Sequence, residues 1–229
     1  MKGNTPSLSI PPSPRSTPEL RMIAWELTRS CNLACMHCRA SAEFGPYENE
    51  LSTEEVFRVM DEIAVVGKPV IILTGGEPLL RQDIFDLALY GTNKGFRMVM
   101  ATNGTLFTEE TIGKMKASGI QRISVSIDGP DAESHDAFRR VKGSFEGSLK
   151  GIALAREGGL EFQINTTITQ VNLHLVPDIL RLAVQLGAVA LHIFLLVPTG
   201  RGKEMRDQEI SPADYEKTLH WFYDHREQV

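Results

Sequence analysis

Disulfides, long apolar runs and a strong charge of either sign are all missing from this 229-residue chain. Its three cysteines, Cys31, Cys35 and Cys38, fall within one short stretch. Thiols this close seldom meet disulfide geometry, and an odd number leaves one over. A reducing, cytoplasmic setting is therefore expected. No run approaches the roughly 18 apolar residues of a membrane span, and the N-terminus lacks the apolar block of about 7–15 residues of a secretory signal, so no membrane partner is expected. Twenty-four Lys and Arg against 29 Asp and Glu leave a formal charge of −5. The densest basic run, Arg139, Arg140 and Lys142, falls short of the footprint that phosphate binding needs, which argues against a nucleic-acid partner. Residues 1–20 hold Pro6, Pro11, Pro12, Pro14 and Pro18 among Ser and Thr, with almost nothing to bury. They read as a disordered tail.

Residues 21–229 are expected to form one domain. The apolar share of 42% suits a chain with a full core, since a domain of roughly 200 residues buries about 70% of its unfolded surface. From Arg21 onward, short β-rich runs alternate with segments of helical period about six times, the signature of parallel βα units. Strands are expected at Met22–Leu27, Val70–Thr74, Arg97–Ala101, Arg122–Ile127, Glu161–Thr169 and Ala188–Leu196. Val70 to Leu73 are apolar at every position, as in a strand covered on both faces. Helices are expected around 82–94, 109–118, 145–157 and 175–186. A further helix follows the capping box of Ser52 and Glu55, and Ser211-Pro212 opens the last one. Six such units fit either a doubly wound open sheet or a TIM-type barrel cut short of eight strands, and periodicity does not choose. In Ser124-Val125-Ser126-Ile127-Asp128 the polar residues alternate, giving one polar strand face. That face suits the inside of a ligand-holding barrel, where sites collect at the C-terminal strand ends, or else a solvated edge strand.

Cys31, Cys35 and Cys38 follow directly on the first strand, so three thiols share one loop. Structural zinc needs four ligands, and His37, wedged between two of the cysteines, is badly placed to be the fourth. Covalent haem attachment needs His directly after a C-x-x-C pair, where Arg39 stands. A redox pair of Cys35 and Cys38 leaves Cys31 without a role. Three thiolates on a cube of four irons leave one iron open to coordinate a substrate or cofactor. The residues alone leave iron–sulfur, zinc and redox readings standing.

The C-x3-C-x2-C spacing after a first strand resembles the defining motif of the radical S-adenosylmethionine enzymes. Later segments match in order: Thr74-Gly75-Gly76-Glu77-Pro78, then Asn103-Gly104, Ser126 with Asp128, and His135-Asp136-Ala137-Phe138-Arg139. Each also has a plain reading, as a glycine bend, turn chemistry or an exposed helix-edge arginine. The resemblance implies an α/β fold, a partial (βα)6 TIM-type barrel, holding a [4Fe–4S] cluster on Cys31, Cys35 and Cys38 together with S-adenosylmethionine. It implies that Gly76 and Glu77 hold the methionine amino group, a carboxylate facing an ammonium. Asn103, Ser126 and Asp128 would contact the ribose and carboxylate, Arg139 would pair with the methionine carboxylate, and Asn165 and Val197 would face the adenosine.

Trp25 to Cys31 and His192 to Gly202 are similar to the tetrapyrrole-acting branch of that superfamily, and within it to the heme b synthases of the siroheme-dependent pathway. The resemblance then implies that a flavodoxin- or ferredoxin-type donor supplies a low-potential electron and that a 5′-deoxyadenosyl radical abstracts hydrogen from propionates of iron-coproporphyrin III. Loss of CO2 and an electron leaves vinyl groups at two positions. Arg39, Arg201 or Lys203 would meet the substrate carboxylates. Heme d1 biosynthesis enzymes and peptide-maturing enzymes share this core, as would a catalytically incomplete iron–sulfur unit. Relatives of the branch carry a C-terminal region with further cysteines, which this chain is expected to lack.

Overall fold

The computed structural model describes residues 19–228. The tail expected over 1–20 therefore lies almost wholly outside the described residues. Six parallel strands, β1 (Met22–Thr28), β2 (Val70–Gly75), β3 (Arg97–Thr102), β4 (Ile120–Ser126), β5 (Glu161–Ile168) and β6 (Leu191–Leu195), pair side by side in chain order. Crossovers between parallel strands are right-handed, so a sheet that never reverses its order keeps all its helices on one face. A doubly wound sheet must reverse. The unbroken order thus decides between the two architectures: the sheet is a curled half-barrel with helices outside and an open lumen inside.

Helices α1 (Thr53–Val66), α2 (Ile84–Asn93), α3 (Glu109–Ala117), α5 (Ser144–Glu157) and α6 (Val176–Leu186) cover the outer face, and α7 (Pro212–Asp224) follows β6. The core lies between sheet and helices: Ile71, Leu73, Met98, Met100, Ile123, Val125 and Ile164 meet Val56, Met60, Leu87, Met115, Ile152 and Ile179. The intervening strand residues face the lumen and are less buried, as the period of two requires. Ser124 and Ser126 follow this pattern, and since β4 is paired on both sides it is no edge strand. Asp128, past the strand end, turns inward and is buried.

Both helix starts read from the sequence are present. Ser52 and Glu55 form a reciprocal capping box, and Ser211 Oγ accepts from Asp214 N–H at 3.1 Å. Every strand differs from its expected span by a residue or more at one end or both, β4 and β6 most. β4 begins at Ile120 and ends at Ser126, and β6 spans only Leu191–Leu195, because residues 188–190 lie in the irregular connection after α6. A further helix, α4 (Ala132–Arg139), was not expected. Its N-terminus is capped by Asp131, whose Oδ1 accepts from Ser134 N–H at 2.8 Å.

Candidate functional site

The cysteine loop leaves β1 and is held from three sides. Cys31 N–H donates to Glu43 O (2.9 Å), while Ala34 and Met36 N–H donate to Arg139 O (3.3 Å) and Phe138 O (3.1 Å) at the end of α4. The third hold comes from the segment after β6. Arg201 N–H donates to Cys38 O (2.9 Å), its Nε to Cys35 O (2.9 Å), and both Nη atoms to Ala42 O (3.1 Å). Neighbouring Gly200 has φ 54°, and a Cβ there would stand 2.1 Å from Arg39 O, so glycine permits this approach.

Each sulfur accepts one N–H: Leu33 to Cys31 Sγ (3.4 Å), Ala42 to Cys38 Sγ (3.3 Å) and Arg139 Nη1 to Cys35 Sγ (3.4 Å). Such donors stabilise negative charge on thiolates. All three cysteines are free, and burial pushes the Cys31 thiol up to about 11, opposed by the Leu33 N–H. Metal loading must therefore displace a proton there. His37, between the cysteines, lies against Phe138, the ring centroids 4.8 Å apart and the planes tilted by 37°. Burial draws its pKa down to about 4.

These thiols open into a cavity of about 340 Å3 at the C-terminal end of the strands. Gly76, Ser126, Arg139 and Asn165 line it with Cys31, Cys35 and Cys38, as do Thr74, Ala101 and Thr167. At Gly76 the chain passes so near the cysteine loop that a Cβ would stand 2.3 Å from Ser30 O, and Glu77 N–H donates to that same oxygen at 2.8 Å.

The other expected residues stand elsewhere. Glu77 is buried beneath the cavity, where its carboxylate accepts from Thr102 Oγ1 (2.7 Å), Asn103 N–H (2.8 Å) and Leu79 N–H (3.2 Å). Burial pushes its pKa up to about 7, against the pull of those bonds. Asn103 spends its side chain on Asn32 Oδ1 (2.8 Å) and on Thr105. Val197 is 66% exposed and outside the cavity lining.

Arg139 is not the exposed helix-edge residue of its plain reading. It is 7% exposed, and its Nη2 meets Asp128 Oδ2 at 2.5 Å. The two form a close buried ion pair, and Asp128 Oδ1 accepts from Thr167 N–H at 2.8 Å. Nε of Arg139 is buried without a partner beside the cavity. Of the cations suggested for substrate carboxylates, Arg39 pairs with Glu26, Arg201 is spent on loop carbonyls, and Lys203 is exposed.

The donor set fits a cluster better than a single ion. Among the described residues no three His, Cys, Asp or Glu groups are close enough to share one metal ion, although three free thiols face one cavity. Tetrahedral zinc needs its ligands around one point. A cube of four irons binds each thiolate at a different iron.

Comparison with known proteins agrees. The Radical SAM superfamily model matches residues 25–221. The AdoMet-dependent heme synthase of Nitratidesulfovibrio vulgaris is 58% identical over 210 residues, covering 92% of this chain and 57% of that protein. The Fe-coproporphyrin III synthase of Methanosarcina barkeri is 40% identical over 190 residues, covering 83% and 47%. This chain thus spans about half the length of these relatives. The crystal structure of Streptococcus suis SuiB bound to S-adenosylmethionine has a TM-score of 0.73 at 16% identity, covering 92% of this chain and 48% of that one, a likeness of fold. With the family model spanning strands, cysteine loop and cavity alike, this chain belongs to the radical SAM superfamily.

Proposed function

We propose that this chain is the radical-generating core of a heme synthase, acting on iron-coproporphyrin III. The observation that carries this reading is its 58% identity to an AdoMet-dependent heme synthase over 92% of its length. Members of the superfamily use a [4Fe–4S] cluster and S-adenosylmethionine. When bound, these supply a 5′-deoxyadenosyl radical.

The chain's own residues would do the following. Cys31, Cys35 and Cys38 hold three irons, with one N–H on each sulfur easing its negative charge. Gly76, with no Cβ, leaves backbone at the cavity edge for the amino group of the methionine moiety, while Glu77 braces that turn from below through Thr102 and Asn103. Ser126 and Asn165 offer polar side chains on the opposite wall. Arg139 and Asp128 lock α4 against the cysteine loop and keep a positive charge beside Cys35.

For each propionate, one hydrogen atom passes to the radical, CO2 departs, and one electron leaves to an acceptor, so that –CH2–CH2–COO⁻ becomes –CH=CH2. A flavodoxin- or ferredoxin-type donor would supply the priming electron. The test is anaerobic incubation with dithionite, S-adenosylmethionine and iron-coproporphyrin III, read by product mass. The expected product has lost the elements of formic acid at two propionates; unchanged porphyrin alongside ample 5′-deoxyadenosine would contradict the substrate assignment.

A further inference from the structure

We propose that His192, held by Gln163 and flanked by Asn165, is a carboxylate-binding subsite on the lumen wall that seats a substrate propionate; this rests on the heme-synthase reading. The lumen-facing residues of β4, β5 and β6 stack in register. Arg122 pairs with Glu161, Ser124 with Gln163, Ser126 with Asn165 and Asn165 with His192, while Thr167 meets Phe194. The lowest layer neutralises itself, Arg122 Nη2 lying 2.9 Å from Glu161 Oε2. Above it the wall carries hydroxyls, amides and one imidazole, with no carboxylate.

Gln163 gives this wall a direction. Its Nε2 lies 3.0 Å from Asn165 Oδ1 and 3.0 Å from His192 Nδ1. An amide nitrogen has two hydrogens. One serves the Asn165 oxygen and the other His192 Nδ1, so the neutral imidazole carries its proton on Nε2. His192 Nδ1 is thereby occupied and Asn165 Oδ1 has accepted one hydrogen bond, while the His192 Nε2–H and the Asn165 amide N–H groups remain as donors. Two N–H donors match the two oxygens of a carboxylate, and a hydrogen bond to an ionised acceptor is roughly twice as strong as one between neutral groups. Gln163 is 9% exposed at the base of the wall, whereas His192 is exposed on the open-edge strand. A broad, flat molecule can therefore bring its rim to His192 while its centre remains outside the narrow sheet. Arg39, Arg122, Arg139 and Arg201 already hold partners, so none of these four is free to take the acid.

The test is an anaerobic absorbance titration of the reconstituted chain with iron-coproporphyrin III and with its tetramethyl ester, which keeps iron and ring but removes the acids. The wild-type chain is expected to prefer the acid. His192→Ala should weaken the acid about tenfold and the ester less than about twofold, as for loss of one charge-assisted hydrogen bond. His192→Gln, which keeps an N–H donor, should recover part of the loss, and Gln163→Leu should lose an intermediate amount by freeing the ring. Circular dichroism and iron per chain identify any variant that fails to fold, in which case His192→Gln carries the comparison. Equal losses for acid and ester would make His192 an iron ligand or a packing residue and overturn the proposal. Undiminished acid binding by His192→Ala would overturn it too, with the heme-synthase reading intact. A wild-type chain that binds neither porphyrin would overturn the heme-synthase reading and the subsite with it.

Discussion

Replacing Arg201 by Met keeps most of the stem and removes the guanidinium that reaches the cysteine loop from 159 and 166 residues away. Two carbonyls lose their side-chain donors, those of Cys35 and Ala42, residues only 8% and 2% exposed. A buried acceptor left without a donor costs about 1–3 kcal/mol; that applies in full to Ala42 O, whereas Cys35 O keeps the Cys38 N–H at 3.3 Å and loses less, and water entering this half-buried site recovers part of the sum. The net expectation is about 2–3 kcal/mol. For a domain of this size each kcal/mol moves Tm by about 2–4 °C, so the metal-free chain should melt roughly 5–10 °C lower. Because the loop then loses its side-chain hold from the segment after β6, keeping the Arg201 backbone N–H and its holds at Glu43, Phe138, Arg139 and Asn103, anaerobic iron loading should also fall, and oxygen should bleach the loaded protein faster. Differential scanning calorimetry and iron analysis read the two effects. A Tm within about 1 °C of wild type with full iron loading would refute the view that Arg201 clamps the loop.

Other perturbations reach the same site by different routes. Asp128→Asn strands the guanidinium of Arg139, 7% exposed, and should cost about 3–5 kcal/mol in urea unfolding; the double change Asp128→Asn with Arg139→Met should be milder than the sum. Gly76→Ala puts a methyl 2.3 Å from a backbone carbonyl, so S-adenosylmethionine affinity by equilibrium dialysis should drop at least about tenfold, and wild-type affinity would argue against that close approach. Glu77 carries a pKa raised from 4.5 to about 7 by burial, so the folded chain keeps a proton that the unfolded chain gives up. Stability from this group is fully present below about pH 4.5 and is lost as pH rises toward about 7, by about 3 kcal/mol in all. Urea midpoints across that window should fall with a shallower slope in Glu77→Gln, and identical slopes would contradict the assignment.

The strands were legible because each combines an apolar run with β-branched residues, and the cysteine loop because its three thiols are local in sequence. What escaped depends on contacts between distant segments. Nothing near Arg201 marks it as a partner of Cys35, and nothing near Asp128 announces its pairing with Arg139. The helix α4 was missed because its cap, Asp131 with Ser134, lacks the Glu or Gln of a capping box and hides in turn-like sequence. Val197, expected to face the adenosine, is exposed after β6 and lies outside the lining of the cavity. Barrel closure was undecidable from periodicity, since strand order, not strand identity, separates the two folds.

The central claim is that Cys31, Cys35 and Cys38 hold a cluster with one iron left for S-adenosylmethionine. Iron and sulfide analysis of the anaerobically reconstituted chain, joined to electron paramagnetic resonance of the reduced form, tests it most directly. The account predicts about four irons and four sulfides per chain, a spectrum that changes when S-adenosylmethionine is added, and loss of both in Cys35→Ala. One zinc with no iron, or a four-iron signal indifferent to S-adenosylmethionine, would contradict it.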